Sequence, residues 1–113
     1  SDLREAAEAP GGHAPRLTAG SLVLDTVAHE LHLDGTPVAL RPKEFELLEY
    51  LMRHPNQALS RDQILEAVWG YSYTGGTRTV DVHVRWLREK VEADPGDPVH
   101  ILTVRGTGYK FVS

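Results

Sequence analysis

The hydrophobic pattern of the chain changes period along its length, and those changes divide it into elements. Leu22 and Leu24 alternate with Val23 and Asp25, and Leu31 and Leu33 alternate with Glu30 and His32. A period of two sends successive side chains to opposite faces, so both stretches are predicted as half-buried strands. Asp34-Gly35 suits the positive φ angles of a tight primed turn, and Val38 and Leu40 resume the alternation beyond it, which predicts a hairpin. Pro37 has no N–H to give a ladder, so the returning strand belongs at an edge or a bulge.

From Pro42 the period becomes helical. Phe45, Leu48, Leu51 and Met52 share one face, Pro42 fits the first turn and His54-Pro55 closes the segment, predicting a helix over about 42–53. Ser60 with Gln63 three residues on is a capping-box pattern, followed by Ile64, Leu65, Val68 and a terminating Gly70, predicting a helix over about 60–69. The stretch Gly70–Gly76 has no apolar period and reads as a loop. Val80, Val84, Leu87 and Val91 then recur at i, i+4, i+7 and i+11, one buried stripe of a helix over about 77–93. At about 100° per residue, the opposite face holds Arg78, Val82, Arg85 and Glu89, with Asp81 and Arg88 on one flank and Thr79 and Trp86 on the other. Pro95 and Pro98 end that region, and two alternating segments around Arg105-Gly106-Thr107-Gly108 predict a C-terminal hairpin over about 101–112. Segregated strands and helices of this kind make an α+β domain.

Residues 1–16 are rich in Ala, Pro and Gly and show no lasting period, so they are expected to be a linker or the cut end of something longer, with one domain over 17–113. The chain has 113 residues, enough for one core, and no cysteine, which removes disulfides and thiolate chemistry. No apolar run approaches the roughly 20 residues of a membrane span and no signal segment opens the chain, so a cytoplasmic protein without a membrane partner is expected. The net charge of −4 argues against nucleic acid until its distribution is considered. Residues 1–50 carry four bases against nine acids, whereas residues 77–113 carry six bases against five acids. The basic residues concentrate where the third helix and the hairpin lie.

Two readings of the third helix stay open on its residues alone. Its outer face is either solvated, with Arg85 and Glu89 as an i,i+4 pair, or a recognition surface whose arginines meet phosphates or guanine edges while Val82 meets a thymine methyl. Arg105 on a glycine turn has the shape of a minor-groove probe or of an ordinary solvated turn. His29 and His32, three apart on the expected strand, point to opposite faces with no third ligand, so no metal is expected. Gly106-Thr107-Gly108 lacks the following helix of a dinucleotide loop, and Ser60 is explained by capping, so neither a cofactor nor an enzyme is expected.

The segments LRPKEFELLEYLMRHPNQALSRDQILEAVWG, TRTVDVHVRWLREKVEADP and TVRGTGYKFV, in this order, resemble the winged-helix effector domain of OmpR/PhoB-type response regulators over about residues 17–113. The resemblance implies a winged helix-turn-helix with an N-terminal antiparallel sheet, three helices and a C-terminal hairpin wing. It implies a two-component transcription regulator in which a receiver domain, phosphorylated through a phosphorelay by a cognate sensor kinase, precedes this segment. Arg78, His83, Arg85 and Arg88 would match positions that contact phosphates or bases, and Thr79, Asp81 and Val82 groove-facing ones, while Trp86 stands at a position that reads a base in relatives. Thr103, Arg105, Gly106 and Tyr109 would match the wing, with Arg105 entering the minor groove. Trp69, Gly70, Tyr71, Ser72, Tyr73, Thr74, Gly75 and Gly76 would form the segment that meets RNA polymerase, often its sigma subunit. Relatives often carry Arg at the position of Trp86; an indole has one donor and no charge, so Trp86→Arg is expected to tighten binding and alter site preference. The implied partner is double-stranded DNA carrying direct repeats, bound by a tandem pair of domains that are monomeric in isolation. A winged-helix module that binds protein is the alternative.

Overall fold

A computed structural model of the protein describes residues 16–113. The first strands are β1 (Arg16–Ala19), β2 (Leu22–Asp25), β3 (Glu30–Leu33) and β4 (Thr36–Val38), which form one antiparallel sheet in that order. Arg16 thus joins a strand, one residue inside the stretch expected as linker; residues 1–15 of that expectation lie outside the described residues. The Asp34-Gly35 turn takes φ angles of 55° and 80° and sets Leu33 opposite Thr36. β4 is the outer strand, where Pro37 is tolerated. His29 lies in the turn before β3, not on a strand as expected, with φ 60°, and its ring stacks on Phe45 at 4.1 Å. No group of three metal-ligating side chains occurs among the described residues.

Three helices follow: α1 (Pro42–Arg53), α2 (Arg61–Val68) and α3 (Arg78–Val91). In α2 the capping box forms as the sequence predicts, with Ser60 Oγ accepting from the Gln63 N–H at 3.0 Å. Leu47 is buried in addition to the expected stripe of α1, because this helix packs on β1 as well as on α2 and α3. The α3 stripe of Val80, Val84, Leu87 and Val91 is wholly inside; full burial of such aliphatic side chains stabilises by about 1.5–3 kcal/mol each.

A second antiparallel sheet closes the domain, formed by β5 (Leu59–Ser60), β6 (Ile101–Val104) and β7 (Gly108–Phe111) in the order β5-β7-β6. The short β5 carries no periodic signal, being two residues long, and it joins the wing to the start of α2. Gly108 is required at that junction: a Cβ there would overlap the Leu59 carbonyl oxygen and lie 3.0 Å from the Arg61 nitrogen.

Two carboxylates that the periodicity did not single out hold these layers together. Glu44 is buried and accepts from Lys90 Nζ at 2.6 Å, from Arg41 Nη1 at 3.0 Å and from the Arg41 backbone N–H at 2.7 Å, joining α1 to α3. Burial works to raise its pKa, and these donors outweigh it, holding the carboxyl below its ordinary range. Glu92, directly after α3, is also buried and accepts from the backbone N–H groups of Val99, His100 and Ile101 at 2.9, 3.0 and 2.8 Å.

Candidate nucleic-acid interface

The buried stripe of α3 turns Arg78, Val82, Arg85 and Glu89 outward. The Arg85 side chain is 82% exposed and its Nε lies 3.8 Å from Glu89, a loose i,i+4 pair. Arg78, Asp81, Val82 and Arg85 line a shallow depression of about 300 Å³ on this face. Arg105 and Gly106 stand at the exposed tip of the β6–β7 hairpin, where Gly106 takes φ 78°. Basic groups on two adjoining elements therefore face water.

Between those elements lies a connected set of side chains. Asp81 Oδ1 accepts from Arg61 Nε at 2.8 Å and from the Tyr109 hydroxyl at 2.6 Å. Burial tends to raise the Asp81 pKa, but the Tyr109 and Arg61 hydrogen bonds prevail and keep it below its ordinary value. Tyr109 is buried, and its phenol is pushed up by that burial and by the Asp81 bond. Arg88 donates from Nε and Nη2 to the Ile101 carbonyl at 3.0 and 2.8 Å, and from Nη2 to Thr103 Oγ1 at 2.8 Å. Asp81, Arg88, Thr103 and Tyr109, expected as contact residues, thus share bonds that fix the wing against α3. Arg61 belongs to the same set and carries no periodic signal, because only the fold brings its helix beside the wing.

On the other flank an aromatic series runs through Tyr73, Trp69, His83 and Trp86, with successive ring centroids 6.2, 4.9 and 4.9 Å apart. His83 Nδ1 lies 2.8 Å from the Thr79 carbonyl. Lys43 Nζ sits 6.0 Å from the Trp69 ring centroid and donates to the Val68 carbonyl at 2.9 Å, while the Arg41 guanidinium lies 4.5 Å from the Trp86 centroid. Trp69 caps the end of α2, and Gly70 leaves the helix at φ 95°. Tyr73 folds over Gly75, leaving no room for a Cβ there, whereas Tyr71 is 88% exposed. The connection from α2 to α3, which includes Ser72, Thr74 and Gly76, is longer than the three or four residues of a compact helix-turn-helix.

A helix pair joined by this loop, with its second helix facing outward beside a braced hairpin, defines a winged helix-turn-helix domain. The family described as "Transcriptional regulatory protein, C terminal" matches residues 35–111. The chain is 50% identical over 97 residues to the sensory transduction protein RegX3 of Mycobacterium leprae, covering 86% of this chain and 49% of that protein. It superimposes with a TM-score of 0.87 on response regulator DrrB of Thermotoga maritima, an OmpR/PhoB homologue, at 27% identity, covering 98% of this chain and 50% of that one. It superimposes with a TM-score of 0.78 on the RstA DNA-binding domain of Klebsiella pneumoniae, solved in complex with the RstA box, at 37% identity, covering 86% of this chain and 96% of that one. This chain belongs to the family of transcriptional regulatory protein C-terminal domains and is of the OmpR/PhoB response-regulator type. It spans less than half the length of the RegX3 protein.

Among the described residues no helix is long and apolar enough to cross a membrane.

Proposed function

We propose that this domain binds double-stranded DNA sequence-specifically as the output end of a two-component response regulator that controls transcription. The observation that carries this reading is the shared exposure of Arg78 and Arg85 on α3 and of Arg105 at the hairpin tip, with the half-buried Val82 lining the same depression as the two helix arginines. α3 enters the major groove with Arg78 and Arg85 toward phosphates or base edges and Val82 toward a thymine methyl. Thr79, His83 and Trp86 line the side of that helix, and the wing lays Arg105 in the adjoining minor groove, with Gly106 permitting the close approach. Asp81, Arg88, Thr103 and Tyr109 keep the two elements at a fixed separation, so both grooves are met together. The RstA domain, whose structure holds its DNA box, supports the reading by its likeness to this fold.

The acidic balance of the chain makes single-domain affinity low, so binding to direct repeats by a tandem pair supplies the rest. In the longer protein a receiver domain phosphorylated by its sensor kinase would bring two copies together, and residues 1–15 would link the two domains. The Trp69–Gly76 loop, with Tyr71 standing out from it, is the surface offered to RNA polymerase, its sigma subunit first.

The test is selection of bound duplexes from a random pool at low salt, with an R85A/R105A double variant as control. Enrichment of a repeated motif spaced by about one helical turn, lost in the variant, is the expected result. A folded domain that enriches nothing, alone or as the phosphorylated full-length protein, overturns the reading and favours a protein partner.

A further inference from the structure

We infer that Arg41, at the start of α1, is a further phosphate-contacting residue of this interface, and that Trp86 holds it there. The inference rests on the DNA-binding reading and extends the contact surface from α3 onto a second helix. Trp86 follows Arg85 on α3 and flanks the outward face on the side of α1. Its indole is a flat, uncharged platform, and the Arg41 guanidinium lies over it at 4.5 Å from the ring centroid. A cation at this distance is attracted by the negative face of the ring. His83 meets the same ring edge-on at 4.9 Å, which fixes the platform in turn.

Arg41 remains available for a partner in spite of this packing. Its side chain is 60% exposed, and of the five N–H groups a guanidinium carries, one donates to Glu44, at 3.0 Å. That ion pair does not neutralise it, because the single Glu44 carboxylate also takes Lys90 at 2.6 Å. The cluster of Arg41, Glu44 and Lys90 therefore keeps one surplus positive charge, and its exposed member is Arg41. An ordinary surface arginine would lose much side-chain freedom on meeting a phosphate, whereas one already stacked and tethered loses less. Trp86 thus contributes charge to the interface through a residue on another helix. Trp86→Arg would replace this attraction with two adjoining guanidinium groups, so the gain in binding that the sequence alone leads one to expect is offset by the displacement of Arg41.

The experiment measures binding of the domain to the selected duplex as a function of potassium chloride concentration, for the wild type and for R41Q, W86A, W86F, R41Q/W86A and R85A. R41Q is expected to reduce the log–log salt slope by about 0.9, the value for one phosphate contact. W86A should reduce it in the same direction, W86F should restore it, and the double variant should behave as R41Q alone. A wild-type slope in R41Q, alongside a reduced slope in R85A, overturns the role of Arg41 and leaves the DNA-binding reading standing. Additive losses in R41Q/W86A overturn the role of Trp86 as its positioning residue. Failure of the folded wild type to bind any duplex, alone and as the phosphorylated full-length protein, overturns both readings together.

Discussion

The Tyr109 hydroxyl donates to Asp81 Oδ1 at 2.6 Å, joining the second strand of the wing to the outward-facing helix through a half-buried bond. Because the same carboxylate oxygen takes Arg61 Nε at 2.8 Å, three elements meet at one atom. Tyr109→Phe removes the donor and leaves the carboxylate with Arg61, so a loss of about 1.5–3 kcal/mol, the range for hydrogen bonds to charged groups, is expected in urea denaturation. Duplex affinity should fall in Y109F under conditions where the domain stays folded, since the wing loses one of its ties to α3 and keeps those of Arg88. Unchanged stability and affinity would remove Tyr109 from the bracing set.

The acid limb of the stability profile follows from the carboxylates. Asp81 and Glu44 bind protons less readily in the folded chain than at their ordinary values of 3.8 and 4.5. The unfolded chain therefore takes up protons first as pH falls, and stability declines below those values until the folded groups also titrate. Tyr109 acts in the opposite sense: its phenol is raised above the ordinary 10.0, so its contribution is present below that pH and is lost as pH rises through the folded value. A denaturation midpoint that is level between about pH 6 and pH 9 and falls toward about pH 3 is expected from these directions. Glu44→Gln should flatten the acid decline and cost on the order of 2 kcal/mol at neutral pH. That is below the ~3–5 kcal/mol of fully enclosed pairs, because Lys90 and Arg41 reach water.

Glu92 offers a test that separates wing attachment from core packing. Its replacement by Gln keeps one acceptor oxygen and puts an N–H₂ group in place of the other, so either the Val99 N–H or the His100 and Ile101 N–H groups lose their acceptor. A loss of about 1–3 kcal/mol is expected. Amide exchange should rise first at residues 99–101 while the α1 and α3 amides keep their protection. Uniform acceleration across the domain would show instead that Glu92 serves global stability alone.

The two wing glycines should respond very differently to alanine. Gly106 has open space around it, so G106A carries only the strain of φ 78°, about 1–2 kcal/mol. Gly108→Ala forces the Leu59 carbonyl away and should separate β5 from β7, lowering the melting temperature well beyond the G106A value. Equal effects in thermal unfolding would contradict the close packing at this junction.

The elements with long or alternating apolar patterns were legible in the residues. α1 spans Pro42–Arg53 as its stripe and its proline indicate, and the stripe of α3 is buried residue for residue. β1 and β5 were not, because β1 carries a single large aliphatic residue, Leu17, and β5 has only two positions, so no alternation registers in either. Among the site residues, the exposure of Arg78, Arg85 and Arg105 follows from helical phase and turn chemistry. The inward bonds of Asp81, Arg88 and Tyr109 do not, since each depends on partners 13 to 28 residues away. Two signals were available in the sequence. Glu44 falls on the apolar stripe of α1, and Glu92 is an acid at a helix C-terminus, where the macrodipole disfavours one; a charge in either place needs an internal partner.

The grip of Glu92 on three consecutive amides also bears on how the length of the preceding loop can vary. The register of β6 is anchored by a side chain of the helix end, so residues 93–98 need only bridge a gap whose two ends are fixed independently. Insertions or deletions in the Asp94–Pro98 stretch can then be absorbed as a change in the size of the bulge, without sliding β6 past β7 or rotating Arg105 away from its place. A domain built this way can exchange that loop, or carry a fused segment in it, and keep its wing.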